Sequence, residues 1–233
     1  MPKIAVETLS IEQLANVFDH AILRPDQTTE DVIKGCETAK AYNLCSVCVK
    51  PCDVKQAHEI LKDTDVMVGT VISFPHGNST TAAKVAESLQ AIEDGAIELD
   101  VVLNIGHLRS GLYDEVQKEL TEIIKQSKQK NKDVIFKIIF ETAYLTDDQI
   151  VKACEISTAS GSEFVKTSTG FAHAGATEHH IKLMRESVPD NIEVKASGGI
   201  KTLEHVTTFL RLGATRIGSS SSDQIIEEFK LKQ

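Results

Sequence analysis

Residues 134–167 read VIFKIIFETAYLTDDQIVKACEISTASGSEFVKT, and the reading of this stretch decides the fold. An apolar, β-rich run, Val134–Phe140, opens it and a second, Glu163–Thr167, closes it. Between them Thr146–Ser160 reads as a helix, with Thr146 placed to cap it and Asp147 and Asp148 in the first turn, where the helix dipole favours acids.

The same alternation extends in both directions. Strands are expected at Phe18–Leu23, Cys45–Val49, Val66–Ile72, Ile97–Leu103, Ile192–Ala196 and Thr215–Gly218. Helices are expected at Thr29–Tyr42, Cys52–Leu61, Thr80–Glu93, Tyr113–Lys130, Thr177–Val188, Thr202–Leu212 and Ser222–Phe229, after a short N-terminal one at Ile11–Val17. Apolar faces support them, as with Val85, Leu89 and Ile92 or Leu120, Ile123 and Ile124; Thr29, Thr80 and Thr202 stand as further caps. Eight strands, each followed by a helix, is the count of a (β/α)8 TIM barrel. A doubly wound sheet with extra strands is the structural rival. No linker or low-complexity tract interrupts the pattern, so residues 1–233 are read as a single domain.

Composition narrows the function. A net charge of -9 argues against nucleic-acid or anionic-membrane binding, and an acidic chain that holds phosphate must do so with local backbone N–H groups. Met1–Ser10 has neither the basic nor the apolar part of a leader, and no run has the length of a transmembrane helix. Five scattered cysteines suit a reducing cytoplasm. Cys45, Cys48 and Cys52 lack the further ligands that zinc needs, so no metal is expected. The lysines of 125–132 read as a solvated helix end.

The chemistry shows in charges placed inside strands: Asp100, Lys137, Lys166 and Lys195 each interrupt an apolar segment. One strand lysine is ordinarily a sheet-edge residue. Four ionisable residues on consecutive strands point to a shared site, because buried charge is costly unless paired or used. Asp100 and Lys166 are expected in one layer of the barrel, with Lys137 and Lys195 flanking in the adjacent one. A free lysine, with a pKa of about 10.4, is an amine in roughly one molecule in a thousand or fewer at neutral pH. Bringing it near 7 takes about 4 to 5 kcal/mol, which burial and a neighbouring cation can supply. Such an amine attacks a carbonyl, while a carboxylate such as Asp100 moves the protons. Thr167-Ser168-Thr169-Gly170, Ser197-Gly198-Gly199 and Gly218–Ser222 follow the last three strands, where this fold customarily binds phosphate.

At these residues the chain resembles the deoxyribose-phosphate aldolase family. The resemblance runs through Phe18-Asp19-His20, Ser46–Val49, Ser73–Asn78, Glu98–Val102, Lys137–Ile139, Glu141-Thr142, Phe164–Gly170, Val194–Ile200 and Arg216–Ser220. It implies that Lys166 is the Schiff-base nucleophile, Lys195 the neighbour that lowers its pKa and Asp100 the proton relay. Asp19 and Lys137 would support this network. Thr169, Gly170, Gly198, Gly199, Ser219 and Ser220 would surround a phosphate, and Cys48 would point into the barrel as a thiol that aldehydes modify. The implied reaction is reversible cleavage of 2-deoxy-D-ribose 5-phosphate to acetaldehyde and D-glyceraldehyde 3-phosphate, with no metal or organic cofactor. A homodimer is the default expectation.

The chain departs from the family at Ala21 and Arg24, where many members read Thr-Leu-Leu-Lys, at Lys50 for a common Asn and at Ala143 for a common Gly. It ends in Leu-Lys-Gln without the terminal Tyr of some members. Ala21 and Lys50 keep open a Schiff-base aldolase with another carbonyl donor, and a silent phosphometabolite-binding barrel is the rival from outside catalysis. His179 and His180 are expected on the surface, His76 and His173 in exposed loops, and Phe171-Ala172 as a loop wall.

Overall fold

Side chains that satisfy the free amides of the first turn set where helices begin. The computed structural model describes residues 6–232; Met1–Ala5, half of the stretch Met1–Ser10 read above, and Gln233 lie outside the described residues. The Thr146 hydroxyl accepts the Gln149 N–H at 3.4 Å while the Gln149 side chain accepts the Thr146 N–H at 3.0 Å, a reciprocal capping box. Thr80 and Thr202 cap their helices as expected. Thr29 does not. The cap is Thr28, because Asp31 sits three residues after it and accepts the Thr28 N–H at 2.7 Å.

The helices are α1 (Ile11–Ala15), α2 (Thr29–Tyr42), α3 (Val54–Leu61), α4 (Thr81–Glu93), α5 (Ile105–Arg109), α6 (Tyr113–Lys130), α7 (Asp147–Ser160), α8 (Glu178–Ser187), α9 (Leu203–Arg211) and α10 (Ser222–Lys230). The sequence reading lacked α5, a single turn whose Asn104 side chain accepts the His107 N–H at 3.0 Å. Five residues are too few for a hydrophobic period to show. It also lacked the 3-10 turns Val6–Thr8, Pro51–Asp53 and Thr142–Tyr144, the second of which delays the start of α3 beyond Cys52.

The strands are β1 (Phe18–Ile22), β2 (Ser46–Val49), β3 (Met67–Ile72), β4 (Glu98–Val102), β5 (Ile135–Ile139), β6 (Phe164–Lys166), β7 (Glu193–Ser197) and β8 (Arg216–Ser219). All pair in parallel and in chain order, and β8 returns to β1 with Phe18 opposite Ile217, closing the barrel. Closure excludes the doubly wound sheet.

Strand side chains alternate between two buried faces. The outward set, including Leu99, Val101, Phe136, Ile138, Val165, Val194 and Ile217, packs under the helices in one apolar core. The inward set carries Glu98, Asp100, Lys137, Lys166, Lys195 and Arg216, all buried. Each outward Leu or Ile contributes roughly 1.5–3 kcal/mol by leaving water, and this set offsets the cost of a charged interior. A second buried ion pair, Lys84 with Glu119, joins α4 to α6, and Lys84 also donates to the Val102 carbonyl at 2.9 Å. Lys128 and Lys130, near the end of α6, pair with Glu163 and Glu93. Among the described residues no helix is long and apolar enough to cross a membrane.

Candidate active site

Strand register brings the inward charges together. Lys166 lies opposite Lys195, and Asp100 opposite Lys137. Asp100 then receives all three lysines: Lys166 at 2.6 Å and Lys195 at 2.7 Å on Oδ2, and Lys137 at 3.1 Å on Oδ1. The sequence expected two adjacent layers. One carboxylate joins them, because long lysine stems reach between levels.

A further ring lies around these contacts. Asp19 binds Lys195, accepts from Arg216 at 2.6 Å and from the Ser46 hydroxyl at 2.8 Å, and lies 3.5 Å from Lys137. Glu98 pairs with Lys137 at 2.6 Å and Arg216 at 2.9 Å. Glu98 and Arg216 had no assigned place in the sequence reading. The signal was present, since Glu98 stands two residues before Asp100 and so shares its face.

The charge count is uneven. Three carboxylates, Asp19, Glu98 and Asp100, face four cations, Lys137, Lys166, Lys195 and Arg216. The array holds one cation more than its carboxylates balance, and the direction of the pKa shifts sets Lys166 apart from the others. Burial lowers the pKa of Lys166 and the Lys195 charge lowers it further, against the pull of Asp100; the net direction is down. Burial acts on Lys195 in the same sense, but Asp100 and Asp19 outweigh it and raise its pKa. Lys137 rises by the same balance, through Asp100, Asp19 and Glu98. Asp100 and Asp19 are held far below the ordinary carboxylate range, because the surrounding cations overcome the burial that opposes ionisation. A neutral amine on Lys166 leaves three charges of each sign.

Above this array lies a cavity of about 310 Å³, with Lys166, Lys195, Cys48 and Ala21 among its lining. Its wall includes Thr169 and Gly170 after β6, Gly198 and Gly199 after β7, and Ser219 and Ser220 at and after β8. The six phosphate candidates therefore share one cavity with the lysines. Gly198 has φ +87° and its backbone abuts Gly175, where a side chain on Gly175 would fall 2.1 Å from the Gly198 carbonyl oxygen. That approach, beside the cavity wall at Gly198, is open only to a residue without a side chain. Arg24 and Lys201, neither singled out as a site cation from sequence, add positive charge to the lining, with Arg24 paired to Asp26 at 2.5 Å.

Other candidates separate cleanly. Cys48 is buried beside the lysines, and burial pushes its thiol up to about 11. Ala21 presents a methyl to the cavity, whereas Lys50 points elsewhere, donating to the Gln27 carbonyl at 2.8 Å. Ala143 lies in the turn Thr142–Tyr144. Phe171 packs edge-to-face on Phe74 and separates the cavity from a neighbouring one of about 460 Å³, lined in part by His76, Arg109 and Glu141. His76 and His173 are exposed. Asp147, His179 and His180 come close enough to share an ion, but they sit at the N-termini of α7 and α8, whose dipoles oppose a cation.

The family model for DeoC/LacD family aldolases matches residues 13–221. A deoxyribose-phosphate aldolase of Caldanaerobacter subterraneus subsp. tengcongensis is 48% identical over 221 residues, spanning 95% of each chain. One from Staphylococcus epidermidis is 48% identical over 213 residues, 91% of this chain and 95% of the relative. Among solved structures, the deoxyribose phosphate aldolase of Aeropyrum pernix, described as tetrameric, superposes with a TM-score of 0.89 at 29% identity, covering 98% of this chain and 96% of the other.

Proposed function

Because the chain belongs to the DeoC/LacD family of aldolases, we propose that it is a lyase that reversibly cleaves 2-deoxy-D-ribose 5-phosphate to D-glyceraldehyde 3-phosphate and acetaldehyde through a Schiff base on Lys166. The observation that carries the lysine assignment is the uneven charge count, in which Lys166 is the cation whose pKa falls.

The neutral Lys166 amine adds to the substrate aldehyde carbon, and loss of water leaves an iminium. The iminium draws the electron pair of the C2–C3 bond as the C3 hydroxyl loses its proton. D-glyceraldehyde 3-phosphate departs, and the remaining enamine is protonated at C2 and hydrolysed to acetaldehyde and free Lys166. Asp100 is ionised at rest and carries a proton only in transit. Its Oδ2 touches both Lys166 and Lys195, so protons pass between the Lys195 ammonium and the reacting centre across that oxygen. Asp19 and Lys137 keep Lys195 and Asp100 charged and aligned. The Gly and Ser segments after β6, β7 and β8 offer backbone N–H groups and hydroxyls to the phosphate. No step calls on a metal or an organic cofactor.

Residues 1–233 act in this reading as one catalytic domain, assembled as a homodimer by default. The five cysteines are free, which supports a reducing cytoplasmic setting; cleavage of a deoxyribose phosphate would give the protein a role in deoxyribonucleotide catabolism. Ala21, which gives the cavity a methyl and no hydroxyl, keeps a different carbonyl donor as the second reading.

Borohydride trapping followed by peptide mapping tests the assignment. Acetaldehyde or 2-deoxyribose 5-phosphate is expected to leave a reduced adduct on Lys166. An adduct only with other donors would move the reading to the second one, and none with any carbonyl would remove the aldolase chemistry.

A further inference from the structure

We propose that Glu141 is a positioning residue whose carboxylate locks the loop between β6 and α8 into the wall of the lysine cavity, and thereby sets the preference for phosphorylated over unphosphorylated sugar. This rests on the proposed function above.

Glu141 lies just beyond β5 and takes a left-handed backbone, φ 56° and ψ 63°. That region is uncommon for a residue other than Gly, Asn or Asp, and such outliers cluster where the surrounding structure has a use for them. Here the side chain crosses to the neighbouring strand's loop. Its carboxylate accepts the Thr169 N–H at 3.2 Å and also the Thr169 hydroxyl. The Thr169 Oγ in turn accepts the Phe171 N–H at 3.0 Å. The backbone beside Glu141 continues the attachment: Phe140 N–H donates to the Lys166 carbonyl and Thr142 N–H to the Thr167 carbonyl, each at 3.0 Å. The chain from Lys166 to Phe171 is thus held by three consecutive residues, 140 to 142.

The loop so held is the partition between the two cavities. Thr169 and Phe171 line both, whereas Glu141 lines only the outer one, alongside His76 and Arg109. The carboxylate therefore grips the partition from outside and does not face the phosphate, which it would repel. It makes no hydrogen bond to Lys166, whose nitrogen contacts Asp100, although charge on Lys166 is among the smaller effects that oppose the rise of the Glu141 pKa. Glu141 is buried and has no ion-pair partner within 4 Å among the described residues; its bonding is to Thr169. A buried carboxylate without a counter-ion is costly, and its upward-shifted pKa reflects that burial. What the carboxylate supplies is two acceptor oxygens for one N–H and one O–H. Both Thr169 donors are spent on Glu141, so the rest of the loop, Gly170 included, is what faces a phosphate, and a backbone already held in place binds it without the ordering cost that a loose loop carries.

The test compares 2-deoxyribose 5-phosphate with 2-deoxyribose as substrates for the wild type, Glu141→Ala and Glu141→Gln. In the Ala variant KM for the phosphorylated sugar is expected to rise about tenfold or more, the size of a lost charged hydrogen bond. The kcat is expected to change far less, and kcat/KM for the unphosphorylated sugar to stay within about threefold, because that sugar has no phosphate for the held loop to bind. Borohydride trapping of acetaldehyde on Lys166 should proceed at the wild-type rate. Gln keeps an acceptor for the Thr169 N–H and should restore most of the preference. If the Ala variant does not fold, Glu141→Met, close to Glu in volume and without an acceptor, takes its place and is expected to show the same selective rise in KM. Equal losses on both sugars, or an unchanged ratio in both variants, overturn the proposal. A wild type that cleaves neither sugar overturns the proposed function first, and that control contains no substitution.

Discussion

Replacing Lys195 with Met removes one charge from the array and shifts the protonation of another residue. The Lys166 and Lys195 nitrogens lie 2.6 and 2.7 Å from the same Asp100 oxygen, so they are at most about 5.3 Å apart. At an effective dielectric constant of about 20, two unit charges at that distance repel by about 3 kcal/mol, equivalent to about two pKa units. Loss of this repulsion stabilises the Lys166 ammonium, raises its pKa and cuts the amine fraction at neutral pH by about a hundredfold. The charge count agrees: three carboxylates then face Lys137, Arg216 and Lys166, and the array is neutral only when Lys166 is protonated. The pH dependence of kcat/KM reports the free enzyme's essential groups. Its ascending limb should move up by about two units in Lys195→Met, with activity recovering in alkaline buffer. A uniform loss of rate at every pH, with the limb unmoved, would refute this account of Lys195.

Two further outcomes follow from the same array. Lys166→Leu should abolish the borohydride adduct while leaving the thermal midpoint equal to or above wild type, because it removes the buried amine whose charged form the array disfavours; a midpoint several degrees lower by calorimetry would contradict the count. Asp19 and Asp100 have folded pKa values far below the ordinary value of about 3.9. Their stabilisation is therefore complete above that value and drains away as pH falls toward the folded values. Urea midpoints should fall steeply below about pH 4, and a flat midpoint across that range would count against the buried pairs.

Local pattern carried much of this molecule. The alternation of apolar runs with amphipathic ones located eight strands within a residue or two, since burial on both faces of a parallel strand leaves a continuous apolar signature. Charges inside those runs marked Asp100, Lys137, Lys166 and Lys195, because a strand interior has no cheap place for them. The Thr28 cap, read as Thr29, and the helix α5 were missed for the opposite reason: both depend on one side chain reaching one amide, Asp31 to Thr28 and Asn104 to His107. Arg216 and Glu98 were legible as strand charges, yet their role depends on partners 197 and 118 residues away or reached across the barrel.

By itself the sequence determined the eight strands and the longer helices, which face of each strand is polar and which lysines interrupt them, since those properties repeat every two or 3.6 residues. Only the tertiary structure decided that β8 closes on β1 and that three lysines meet on one carboxylate. Only it left Lys166 as the unbalanced cation and brought Glu141 against the loop beyond it. Those outcomes depend on strand stagger and long side chains meeting across the barrel, as when Lys195 reaches Asp19 from 176 residues away, and no local periodicity encodes such a meeting.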